Sequence, residues 1–160
     1  MKCKVYGVRY PQDALKRLND AGIDYGGWLP NYKVPEIFSR YKMTVHIPRK
    51  PYVEKLPGIP TIRPFEALAC GIPLISAYWN DAENLFGETD FIMADSGGKL
   101  MKEMSALMNN SEKAESLRKN GLNTILSRHT CAHRVDELES IYNEIIVNRE
   151  SGKKQKENSE

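Results

Sequence analysis

The sequence predicts an α/β fold in which a parallel sheet carries helices on both faces. Three observations predict it. Short apolar runs suited to strands alternate with segments whose apolar residues recur at helical spacing. Glycine and proline punctuate the boundaries, most sharply at Gly71-Ile72-Pro73, where a helix must stop. The run 72–77 that follows is apolar without alternation, as expected of a strand covered on both faces of a parallel sheet.

Residues 2–8 alternate loosely and fit a first strand. Pro11 opens a helix to about Ala21, with Ala14, Leu15 and Leu18 on one face and Gly22 closing it. Residues 23–25 fit a brief strand, followed by the loop Gly26-Gly27-Trp28-Leu29-Pro30. Pro35 begins a helix whose buried face is Ile37, Phe38 and Tyr41, and 43–47 is the next strand. Residues 48–60 hold four prolines and read as a long irregular loop, a kind of segment often kept for function.

That loop delivers the chain to a short helix with Pro64 in its first turn, where the N–H that proline lacks has no helical partner anyway. Phe65, Leu68 and Ala69 share its apolar face. Asn80 and Glu83 form a capping pair for a short helix ending at Gly87, and 90–94 is a strand. Leu100, Met101, Met104, Leu107 and Met108 mark an amphipathic helix, its methionines filling core. Ser111 caps a further helix running to Gly121. The last helix spans about Thr130 to Val147, with the stripe Ala132, Val135, Leu138, Ile141, Tyr142 and Ile145. Residues 151–160 contain no apolar residue and are expected to be a disordered polar tail.

Residues 1–150 therefore read as one Rossmann-like domain with right-handed crossovers. Ligands of such sheets sit outside the carboxyl ends of the strands. The loops after Val8, Tyr25 and Ile47 and the approach to Pro64 are expected to share that rim.

Composition narrows the function. A chain of 160 residues can bury its own core without a metal or disulfide staple. Twenty-three Lys and Arg against 21 Asp and Glu leave a formal charge of +2, which is no footprint for nucleic acid or an anionic membrane. Cys3, Cys70 and Cys131 are an odd, widely spaced set and read as reduced thiols. No run reaches transmembrane length and no signal-peptide core opens the chain. The expectation is a cytoplasmic protein with no membrane span and no nucleic-acid partner.

Candidate site residues gather around the short helix. A helix N-terminus with free N–H groups is a ready phosphate site, and Glu66, read as a first-turn residue beside Arg63, has a carboxylate able to accept hydrogen bonds from sugar hydroxyls. The competing reading is an ordinary glutamate favoured by the helix dipole. Arg63, Arg49 and Arg9 offer forked guanidinium groups for a diphosphate, or are solvated surface arginines. Gly27 and Trp28 offer backbone groups and an indole wall for a base, or a tight turn with a packed tryptophan. His46 reads as a satisfied core histidine. His129, Cys131 and His133 share a helix face, but a zinc site wants three or four ligands and no partner cluster accompanies them, so no metal is expected. Helix start and packing account for them better.

The segment Arg63-Pro-Phe-Glu-Ala-Leu-Ala-Cys-Gly-Ile-Pro-Leu-Ile-Ser76 resembles the donor-binding element of GT-B glycosyltransferases, specifically the CgeB/YkvP-like group. The resemblance continues through Gly27-Trp-Leu-Pro-Asn31, Val45-His-Ile-Pro-Arg49 and Arg128-His-Thr-Cys-Ala-His-Arg134, and covers all but the last ten residues. It implies the C-terminal half of a GT-B fold, binding a nucleotide-diphosphate sugar as substrate with no cofactor. By that resemblance Glu66 falls on the second acid of the family's Glu–seven residues–Glu pattern, which holds the nucleotide ribose. The first acid should stand eight residues earlier, where this chain has Gly58; Glu54 in the same loop is not assigned to its role. The donor-binding set is then Glu66, Arg63, Thr61, Arg49, Gly27, Trp28 and Arg9, with the loop at Gly27 near the base.

The resemblance also places the catalytic groups and the acceptor site in an N-terminal half, so no catalytic residue is named here. In the family the C-terminal helix crosses onto that half. The stripe on helix 130–147 would then be covered by an N-terminal GT-B half or by self-association. A second reading keeps the scaffold as a non-catalytic interaction module that uses the same stripe.

Overall fold

A computed structural model describes residues 2–56, 58 and 61–157. The chain divides into two units, Met1–Tyr41 and Lys42–Glu160. In the first, strand β1 (Lys4–Val5) pairs in parallel with β2 (Asp24–Tyr25). Helix α1 (Gln12–Asp20) connects them, entered through extended Pro11. Its end is set by Gly22 at φ 68°, which lets the Gly22 amide reach Asn19 O and the Ile23 amide reach Leu18 O, both at 2.9 Å. This crossed pair of bonds is the Schellman stop. A 3₁₀ turn, Asn31–Lys33, leads into α2 (Val34–Phe38), with Val34 its buried residue and Ile37 and Phe38 half-buried.

The second unit holds a parallel sheet in the order β3 (Thr44–His46), β4 (Leu74–Ala77), β5 (Ile92–Ala94). The strands among the described residues therefore form two separate parallel sheets. Strand β4 is central, and Leu74, Ile75 and Ser76 are fully buried, as its unbroken apolar pattern requires. Helices α4 (Ile62–Ala69), α5 (Gly97–Asn109) and α6 (Ser111–Arg128) flank it. Ile75 and Ala94 pack with Leu107 of α5 and Leu117 of α6, and Met43, Ile92, Leu100 and Met104 surround them. Each fully buried aliphatic side chain contributes roughly 1.5–3 kcal/mol. Helix α4 stops as α1 does: Gly71 sits at φ 63°, with its amide on Leu68 O and the Ile72 amide on Ala67 O.

Several boundaries differ from the sequence reading, each for a physical reason. The proline-rich loop contains a short helix, α3 (Lys50–Glu54), whose ends are joined by a Lys50–Glu54 ion pair at 3.5 Å; Pro57, Ile59 and Pro60 lie outside the described residues. No helix forms between Asn80 and Gly87. There the Asp81 carboxylate accepts the Leu85 and Phe86 amides at 3.0 and 2.9 Å, holding a loop where Asn80 was expected to start a helix. The cap of α6 is Asn110, which accepts from the Lys113 amide at 2.8 Å, and not Ser111.

Gly121 does not end α6. It lies within the helix because a Cβ there would come 2.5 Å from Leu68 Cδ2 and 3.1 Å from Asp90 O. Helix α7 (Cys131–Glu157) runs beyond the expected end near Val147 and takes in residues 151–157 of the expected polar tail, where three lysines, a glutamine and a glutamate are good helix formers. Residues 158–160 of that tail lie outside the described residues.

Candidate functional site

The mouth of α4 departs in two ways from an ordinary capped helix. Thr61 is the N-cap, with extended backbone (φ −75°, ψ 163°), yet its side chain caps nothing. A capping hydroxyl normally accepts from the second or third helical amide, and the third residue here is Pro64, which has none. The helix begins at Ile62, so Glu66 is its fifth residue rather than a first-turn one. This corrects the first-turn placement and weakens the dipole account of Glu66, because that effect fades beyond the first turn. What fixes Glu66 instead is Arg63, three residues before it, whose guanidinium donates to the carboxylate. The two side chains keep 42% and 20% exposure, so the pair is set into the surface but open to a ligand. Burial, then the Glu66 charge, pushes the Cys70 thiol pKa up.

Behind the mouth lies a largely buried polar chain whose members stand far apart in sequence. His46 ends β3 and Ser76 is its register partner on β4. His46 Nδ1 and Ser76 Oγ are 2.9 Å apart, and Thr61 Oγ1 lies 2.9 Å from His46 Nε2. Ser76 Oγ in turn donates to Ala77 O at 2.8 Å. Burial, reinforced by the Arg63 charge, lowers the His46 pKa to about 4, so the ring is neutral near pH 7. His46 is thus the satisfied, buried histidine its strand position predicts, and it also reaches the candidate site. The only sequence signal for Ser76 was a lone hydroxyl in an otherwise apolar strand.

Gly58 stands where the resemblance leads one to expect a first acid. It is buried, has φ 84°, and a Cβ would lie 3.0 Å from Ala82 Cβ. Backbone and neighbour both disfavour any side chain here. Glu54 is exposed and engaged with Lys50. Arg49 is exposed and has no ion-pair partner among the described residues.

The remaining candidates belong to the first unit. Gly27 adopts φ 65° and its carbonyl accepts the Gly7 amide at 2.8 Å. That bond ties the loop after β2 to the loop after β1, and Tyr25 Oη adds a second tie to Gly7 O at 2.8 Å. Trp28 is 71% exposed, which rules out the packed-tryptophan alternative. Arg9 is exposed and adopts φ 63°, a left-handed conformation uncommon for a residue with a Cβ. Thr61, Arg63 and Glu66 are therefore brought together with His46 in one unit, and Arg9, Gly27 and Trp28 stand on two tied loops in the other.

The histidines after α6 serve the helix junction. His129 Nε2 donates to Leu85 O at 2.7 Å, and its ring packs edge-on against Phe65 with centroids 5.2 Å apart. His133 Nδ1 accepts the Thr130 amide at 3.3 Å. Among the described residues, no group of three or more His, Cys, Asp or Glu could hold a metal ion, and no helix is long and apolar enough to cross a membrane.

Comparison with known proteins bears on the family and the fold. A family model described as glycosyl transferase-like matches residues 1–140. No curated protein matches the sequence significantly. Among solved structures, the chain is similar to Anabaena Alr3699/HepE in complex with UDP, with 15% identity and a TM-score of 0.70 over 89% of this chain and 41% of that one. It is similar to the sucrose-phosphate synthase tll1590 of Thermosynechococcus elongatus at 16% identity and TM-score 0.68, over 91% of this chain and 38% of that one. A third likeness is to the C-terminal domain of a glycosyl transferase group 1 family protein, LpcC, from Francisella tularensis, at 14% identity and TM-score 0.55 over 75% and 62% of the two chains. At these identities the likeness concerns fold, and it bears out the expected α/β architecture of the GT-B kind. The chain spans about two fifths of the length of the first two.

Proposed function

The chain belongs to the glycosyl transferase-like family, and from that premise we propose that it binds a nucleotide-diphosphate sugar as the donor-binding half of a CgeB/YkvP-like glycosyltransferase. Glu66 accepts hydrogen bonds from the ribose hydroxyls. Arg63 and the uncapped amides of α4 face the diphosphate, with Arg49 and Arg9 as further guanidinium groups, Thr61 at the same mouth, and Gly27 with exposed Trp28 for the base. In this reading residues 1–150 act together as one Rossmann-like cytoplasmic domain, and transfer to an acceptor requires an N-terminal GT-B half.

The observation that carries the proposal is the Arg63–Glu66 pair beside a helix mouth whose own N-cap side chain leaves the amides free. Its fold likeness to a protein solved with UDP supports testing UDP first. The decisive measurement is calorimetric titration with UDP, GDP and ADP. Binding of one of them, weakened tenfold or more by Glu66→Ala at unchanged melting temperature, is the expected result. Affinity equal in the variant rejects Glu66 as a ligand, and no binding by the natural chain rejects the donor-site reading.

One observation favours the second reading, an interaction module. Val135, Leu138, Ile141, Tyr142 and Ile145 are all exposed along α7, a larger apolar stripe than a solvated helix normally shows. In this reading the stripe binds a partner protein or a second copy of this chain. A clean monomer by sedimentation at high concentration counts against self-association.

A further inference from the structure

Proton accounting along the buried chain determines what Thr61 can do. The Ala77 carbonyl can only accept, so the single Ser76 Oγ proton goes to it. Ser76 Oγ must then accept from His46, which places the ring proton on Nδ1. With the ring neutral, Nε2 carries a lone pair, and the Thr61 hydroxyl donates its only proton there. Thr61 is left with lone pairs and no proton to offer. Nothing among the described residues claims those lone pairs: the side chain makes no capping bond, and Pro64 has no amide to give. The hydroxyl is only half-buried, and Ile62 beside it is 64% exposed.

We propose that Thr61 Oγ1 is an acceptor-only contact for a hydroxyl of the sugar nucleotide, its polarity imposed through the Ser76–His46–Thr61 chain, and that it does not contact the phosphates. A phosphate oxygen needs a donor, which Thr61 lacks; a ribose or hexose hydroxyl supplies one. The inference rests on the donor-site reading above, assigns His46 a positioning role, and separates the hydroxyl-reading group Thr61 from the phosphate-facing Arg63.

Two measurements on the full chain test it. Nitrogen NMR of His46 at pH 7 should show the proton on Nδ1 and a bare Nε2; the opposite tautomer frees the Thr61 proton for a phosphate and overturns the inference. Calorimetry should then compare the natural chain with Thr61→Val and Thr61→Ser, using pyrophosphate, the tightest-binding diphosphate among UDP, GDP and ADP, and its glucose conjugate. Thr61→Val should weaken a hydroxyl-bearing ligand about tenfold and leave pyrophosphate unchanged, while Thr61→Ser restores the natural affinity. Loss already seen with the nucleoside diphosphate identifies a ribose hydroxyl as the donor; loss confined to the conjugate identifies a hexose hydroxyl. Equal weakening of pyrophosphate, or no weakening of any ligand, overturns the inference while leaving the donor site intact. Failure of the natural chain to bind any of the three nucleotides removes the donor-site reading itself, and this inference with it.

Discussion

Gly121 on α6 meets Leu68 on α4 so closely that a Cβ on the glycine would lie 2.5 Å from Leu68 Cδ2. Leu68 is almost wholly buried, and the Asp90 carbonyl, 3.1 Å from the same point, blocks the other way out. Gly121→Ala should therefore destabilise the protein by about 1–3 kcal/mol through overpacking, although alanine in an exposed helix is favoured over glycine by roughly 1 kcal/mol. Urea denaturation measures the balance; a more stable variant would show that the two helices part freely.

The His46 pKa carries a pH prediction. Its value falls from the ordinary 6.5 to about 4 in the folded chain, by burial first and the nearby Arg63 second. The unfolded chain thus binds the proton before the folded one does. Stability is unaffected above about pH 6.5 and should decline as pH falls towards 4, by at most roughly 3 kcal/mol from this residue. Stability measured between pH 7.5 and 4.5 should show a smaller decline in His46→Gln, whose side chain does not titrate. Parallel curves would assign the acid sensitivity to other groups.

Asp81 organises the loop after β4 by accepting two amides with one carboxylate. Asp81→Ala should cost about 2 kcal/mol, in the range for hydrogen bonds to a charged group. The effect should be local as well, with faster hydrogen exchange at Leu85 and Phe86. Protection unchanged at both amides would contradict it.

Gly58 cannot be turned into the family's first acid by substitution alone. Gly58→Glu combines a left-handed backbone with a close approach to Ala82, and the strain should cost on the order of 1–3 kcal/mol. A lowered melting temperature with no gain in sugar-nucleotide affinity is expected. Tighter binding in a stable variant would mean that the loop rearranges to accommodate the acid.

Local signals in the sequence determined much of this protein. Gly22 and Gly71 fixed two helix ends because only glycine turns left-handed there without strain, and the apolar run 72–77 fixed the central strand. Glu66 and Arg63 were recognisable as neighbours because residues three apart on a helix meet. These effects act over a few residues and leave their mark in the order of the chain. Other outcomes depended on partners distant in sequence. Gly121 looked like a stop until Leu68 showed why the helix needs a glycine inside it. Glu83 looked like part of a cap until Asp81 captured the loop amides. His46, Ser76 and Thr61 lie up to 30 residues apart; the parallel register of β3 on β4 brings the first two together, and the N-terminal end of α4 brings in Thr61. Periodicity says which face a residue occupies; which atom it meets there, and so where the proton resides, is decided by the packing of one element against another.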